Sequence, residues 1–180
     1  ISILAVISMV LMILDISTGF APPFLKIDLG DMPALIGAFA MGPMAGVLIQ
    51  FVKNILHLLV EGSMTGGVGE LSNFIVGSIY VYVAGFIYHR NKTFKSAVIG
   101  LLVGILSMTA VASLSNYFIV FPLYAKLIPM DQIIEMSAAV NNLVVDYKSL
   151  ILYAVVPFNL LKGSIVAAVT ILIYKRISIF

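Results

Sequence analysis

Side chains able to ionise or to exchange hydrogen bonds are scarce in this sequence, so those that interrupt its apolar runs must carry whatever chemistry it performs. The segment VVPFNLLKGSIVAAV, residues 155–169, sets Pro157, Asn159 and Lys162 in an otherwise oily stretch. Asn159 and Lys162 stand three apart and share one face of a helix. Pro157 has no backbone N–H and bars the usual bond to the Tyr153 carbonyl, so that oxygen is expected to be free for another partner. An ionisable group within a membrane costs about 2.5–3.5 kcal/mol on insertion scales, which makes Lys162 a candidate site residue. The competing reading is a kinked packing helix in which Lys162 bonds neighbouring carbonyls.

Three further stretches hold polar groups. In ASLSNYFIVFPLY, Asn116 and Tyr117 lie close to Phe118, Phe121 and Tyr124. An amide that both donates and accepts, set among rings, suits a flat heteroaromatic ligand with an imide edge. Asn116 could instead join two helices, with the rings forming an interfacial belt. In GELSNFIVGS, Asn73 follows Glu70 by three residues, although Glu70 also fits as a helix N-terminal charge favoured by the macrodipole. In QFVKNILHLL, Lys53 and His57 share a face, Asn54 pairs with His57 at a spacing of three, and the set reads as a polar stripe facing a bundle interior.

Enzymatic signatures are missing. The sequence holds no HExxH, GxSxG, Walker A or dinucleotide-binding pattern, and GGVG is too weak to mark a phosphate site. Ser113 and Ser115 are remote from both histidines in the expected topology, so no catalytic residue is assigned. His57 and His89 fall on different sides of that topology, and no metal site is expected.

The elements that position these groups follow from composition. Of 180 residues, 62% are hydrophobic and 10% charged, with a mean hydropathy of +1.16. Ten basic and eight acidic residues cannot surface a soluble domain of this size. The expectation is an all-α integral membrane protein, one domain over residues 1–180 with six transmembrane helices. These run over about 1–17, a short second over about 32–41, a third from GPMAG to Val60, then about 70–88, 95–124 and 148–176. The second is too short alone, so the preceding loop is expected to dip inward. A retained first helix is preferred to a signal peptide, and the absence of an initial methionine points to a trimmed start.

Arg90, Lys92 and Lys95 cluster in one loop and Lys175 with Arg176 near the end, which places both termini in the cytoplasm. The acids Asp15, Asp28, Asp31, Glu61, Glu70, Asp131, Glu135 and Asp146 then fall at or near the outer side, on loops of about 18–31, 61–69 and 125–147. Those longer outer loops are the expected ligand-facing side. Cysteine is absent, which excludes disulfides and thiolate chemistry. The net charge of +2 gives no reason to expect nucleic acid. Gly163, Ser164, Ala167 and Ala168 are expected to let helices pack closely.

The ordered set FLKIDLGDMPALIGAFAMGPMAGVLIQFVKNILHLL, GELSNFIVG, SLSNYFIVFPLY and PFNLLKG resembles the riboflavin-binding S components of energy-coupling factor (ECF) transporters, from about residue 9 to the end. The resemblance implies a six-helix subunit of the bacterial cytoplasmic membrane with a pocket near the extracellular side. It implies capture of riboflavin as transported substrate rather than cofactor. Energy would come from a separate transmembrane coupling subunit and two ABC-type ATPases. It places Phe24, Leu25 and Asp28 on one loop around the vitamin, Met64, Thr65 and Gly67 on another, and Glu70, Asn73, Asn116, Tyr117, Phe121, Asn159 and Lys162 at the outer helix ends. Asparagine amides can match the flavin imide, and Lys162 is expected to donate to a ligand oxygen without a carboxylate partner. A small-residue face on the first helix, here Ala5 and Ser8 with Met9 at the second small position, would dock the coupling subunit. Other readings are an S component for thiamine or biotin, a self-contained secondary transporter, and a small intramembrane enzyme.

Overall fold

The computed structural model describes residues 1–17, 22, 25–63 and 65–177, with side chains as far as Tyr174. Helix α1 (Ser2–Ile13) leads into a small antiparallel hairpin of β1 (Ile16–Ser17) and β2 (Lys26–Ile27), paired Ile16 to Ile27 and Ser17 to Lys26. Helices α2 (Asp31–Met41), α3 (Pro43–Val60), α4 (Val68–Asn91) and α5 (Phe94–Ser115) follow. A π turn over Asn116–Val120 carries α5 into α6 (Phe121–Tyr124). After α7 (Met130–Ala138), α8 (Tyr147–Leu150) runs through a second π turn, Ile151–Val155, into α9 (Val156–Ile177).

Among the described residues, four helical stretches are long and apolar enough to cross a membrane: Pro43–Val60, Val68–Asn91, Phe94–Tyr124 and Tyr147–Tyr174. The first two helices are shorter. Twelve residues of α1 rise about 18 Å, well under the ~30 Å of a bilayer core. The expected first helix to about residue 17 therefore ends early, because the chain turns at Leu14 into the hairpin. Neither that hairpin nor α7 was anticipated in the loops.

Local chemistry explains the boundaries. Gly42, at φ +108°, makes the turn between α2 and α3, and Pro43 begins α3 where its missing N–H has no partner to lose. Thr93 caps α5 by accepting the Ser96 N–H at 3.1 Å. Asp146 and Ser149 form a reciprocal capping box at α8. Each π turn ends two residues before a proline, Pro122 or Pro157, whose ring excludes the normal helical bond. The Tyr153 carbonyl released by Pro157 is taken by the Asn141 amide at 2.9 Å, so it serves a contact within the chain. At the first π turn the Tyr147 hydroxyl donates to the carbonyls of Asn116 and Tyr117.

Two apolar clusters hold the bundle. The larger gathers α1 to α5 and α9 around Leu35, Ile49, Tyr80, Leu101, Met108 and Val166, and the smaller joins Ala112, Phe121, Val144, Leu150 and Ala154. Close approach rests on glycine. A β-carbon on Gly100 would stand 2.7 Å from the Ala84 carbonyl oxygen, and the buried Tyr80 hydroxyl reaches the Gly163 carbonyl at 3.0 Å. Gly163 and Ala167 pack inward as expected, whereas Ser164 and Ala168 are exposed.

The expected docking face on α1 is corrected by burial. Ala5 and Ser8 are both fully buried within the chain's own bundle. A β-carbon on Gly30 would stand 2.8 Å from the Ser8 carbonyl oxygen, so the turn before α2 packs closely on the α1 backbone where these small residues sit. The large apolar side chains α1 presents outward are Ile3, Val6, Ile7 and Val10.

Candidate functional site

Lys162 lies two turns into α9 at 5% exposure, too deep for water to balance its charge. The chain balances it instead. Its Nζ stands 2.7 Å from Asp28 Oδ2, 3.6 Å from Asp31 Oδ2 and 3.5 Å from Asn73 Oδ1. The expectation of a lysine without a carboxylate partner is thereby overturned: Asp28 and Asp31, expected on the first outer loop, are 5% and 3% exposed and turn inward to meet it. A lone buried ammonium is costly, and Asp28 in the turn before α2 and Asp31 at its first residue meet it.

Asp28 is itself held in place, since its Oδ1 accepts the Gly30 N–H at 2.8 Å. Asp31 uses its Oδ1 on Gln50 Nε2 at 2.7 Å and Lys53 Nζ at 2.8 Å. Lys53 and Asn54 thus face the interior as the stripe on α3 implied, while Gln50 and Asp31 were missed. The available signal was the spacing of Gln50 and Lys53 on one helix face beside a buried acid, readable only once Asp31 is known to be inside.

Above this network opens a cavity of about 480 Å³. Leu25, Asp28, Thr65, Glu70, Asn73, Asn116, Asn159 and Lys162 all contribute to its wall. The side-chain amides of Asn116 and Asn159 each donate to their own helix, to Ala112 O at 2.7 Å and Val155 O at 2.8 Å. That fixes both rotamers and leaves each Oδ1 as an acceptor. Met108, Ala112, Val120, Val76 and Phe158 supply the apolar part.

At the cavity's rim His57 sits between Glu61 at 3.3 Å and Glu70 at 3.4 Å. Glu70 also accepts from Ser63 Oγ at 2.8 Å, so a residue in the first turn of α4 both lines the cavity and ties down the 61–67 loop. Lys26 on the hairpin pairs with Asp15 at 2.9 Å on the same rim. Among the described residues, no cluster of histidine and carboxylate groups has the geometry to hold a metal ion.

Three expected residues stand outside this wall. Gly67, at φ +88°, caps α4 and sets the loop's path. Tyr117 stacks on Tyr147 with centroids 4.8 Å apart, and Phe121 is fully buried in the smaller core cluster. Tyr124 lines the cavity in their place. Phe24 and Met64 lie outside the described residues.

A bundle of apolar helices around a closed polar network, with a cavity above it, defines a ligand-binding membrane protein. The family described as "ECF transporter, substrate-specific component" matches residues 1–174, and the chain belongs to it. The chain is 36% identical over its full length to the riboflavin transporter RibU of Staphylococcus aureus (strain TCH60), spanning 89% of that protein. It is 32% identical to the riboflavin transporter FmnP of Bacillus subtilis (strain 168), with 98% of this chain and 89% of that one aligned. A solved structure of the S component of a bacterial ECF transporter superposes with a TM-score of 0.77 at 32% identity, covering 98% of this chain and 92% of the other.

Proposed function

We propose that this chain captures riboflavin from outside the cell and presents it for ATP-driven import by a separate energising module. The observation that carries the reading is convergence: Asn116, Asn159 and Lys162, from two different spans, meet in one cavity whose remaining wall is largely apolar. Its volume suits a compact organic ligand, for which pockets of roughly 300–1,000 Å³ are usual. The flavin ring is flat and mostly apolar, and its pyrimidine edge presents an N–H between two carbonyls. An asparagine Oδ1 can accept that N–H, while Lys162 Nζ can donate to a carbonyl or a ribityl hydroxyl. The names of the relatives point to the same vitamin.

In this reading residues 1–180 form one six-helix domain, with α1 and α2 completing the set begun by the four long spans. The cavity opens to the extracellular side, and both termini lie in the cytoplasm of a bacterium. Phe24, Leu25, Met64, Thr65, Gly67, Glu70, Asn73, Tyr117 and Phe121 surround or support the ligand. The partners are a transmembrane coupling subunit and two ABC-type ATPases, and this chain performs no chemistry on the vitamin. Titrating the detergent-purified protein with riboflavin while following flavin fluorescence tests the reading. Saturable quenching by riboflavin, undisturbed by excess thiamine or biotin, is expected. Displacement by either vitamin, or no quenching, would overturn it.

A further inference from the structure

Lys53 is completely buried, does not itself line the cavity, and among the described residues has Asp31 as its only bonded acceptor. A second ammonium inside an apolar bundle is expensive, so its retention calls for a reason beyond packing. Counting the charges gives one: Asp28 and Asp31 against Lys162 alone leave an excess negative charge, and Lys53 cancels it. The distances agree. Asp31 directs Oδ1 to Lys53 at 2.8 Å and keeps Oδ2 at 3.6 Å from Lys162, so the nearer grip on Lys162 is left to Asp28 at 2.7 Å.

We infer that Lys53 is a positioning residue for ligand recognition: by neutralising Asp31 it prevents that carboxylate from drawing Lys162 out of the cavity wall, and so holds the Lys162 ammonium where a ligand can use it. Gln50, which donates to the same Asp31 oxygen at 2.7 Å, steadies the arrangement. This rests on the riboflavin reading above. Without Lys53, Asp31 regains a full charge with one remaining cation in reach, and Lys162 collapses onto it.

Charge compensation tests the inference. Riboflavin affinity is measured by fluorescence quenching for the wild-type protein, Lys53→Met and the double variant Asp31→Asn/Lys53→Met, each checked for folding by thermal unfolding in detergent. Lys53→Met is expected to bind at least about tenfold more weakly, and the double variant to return within about threefold of wild type, because an uncharged residue 31 no longer needs neutralising. A double variant as weak as the single one would overturn the inference. Should Lys53→Met fail to fold, the double variant decides alone: folding with near-wild-type affinity supports the inference, and loss of binding or of folding defeats it. Failure of the wild-type protein itself to bind riboflavin would defeat the functional reading instead.

Discussion

In the proposed site, Asn116 would meet the ligand through one atom. Its amide nitrogen is committed to Ala112 O, which leaves Oδ1, on a residue that lines the cavity, as an acceptor. Asn116→Ala should weaken riboflavin binding by about 1–3 kcal/mol, the scale for leaving a buried polar partner unpaired, with little change in thermal stability. Titration of the purified variant checks this, and wild-type affinity would remove Asn116 from the site. Lys162 differs because it also holds the fold together. Lys162→Ala leaves the two buried carboxylates of Asp28 and Asp31 against the single ammonium of Lys53, which bonds Asp31, so it should lose stability by about 3–5 kcal/mol as well as affinity. Adding Asp28→Asn should restore part of the stability and none of the binding. Unfolding curves in detergent separate the two effects.

At the scale of elements, α4 and α5 meet through Gly100 and Gly104, which lie against Ala84 and Tyr80. Backbone oxygen offers no room to move aside, so Gly100→Val should cost about 1–3 kcal/mol of stability through overpacking, seen as a lowered unfolding midpoint. The α8 start responds to acid. Hydrogen bonds from Ser149 hold the exposed Asp146 carboxyl below its ordinary range. A depressed folded pKa means the stabilisation is present above the ordinary carboxylate range near pH 4 and is lost as pH falls through the lowered folded value. Melting temperature should therefore fall more steeply below pH 4 in the wild type than in Asp146→Ala, and parallel curves would contradict the capping role.

Across the whole molecule, what the sequence revealed divides by distance along the chain. The long spans were legible because apolar runs and their glycine and proline breakers are local, and the polar residues Asn116, Asn159 and Lys162 stood out against those runs. The partners of Lys162 were not legible: Asp28 lies 134 residues away, and a carboxylate in a loop looks solvated until the fold buries it. Ala5 and Ser8 misled for a related reason, since small residues serve a neighbouring helix of the same chain as readily as a partner. Pro157 correctly marked a broken hydrogen bond, but the acceptor it released found Asn141 rather than a ligand. The resulting picture is of two halves, α1–α3 and α4–α9, clasped by one buried ion network beneath a shared cavity. The most direct test of that picture is an experimental structure of the protein with riboflavin bound. The flavin ring should lie within the cavity, with Asn116 Oδ1, Asn159 Oδ1 and Lys162 Nζ all within hydrogen-bonding distance of it. A flavin bound elsewhere, or one touching none of the three, would contradict it.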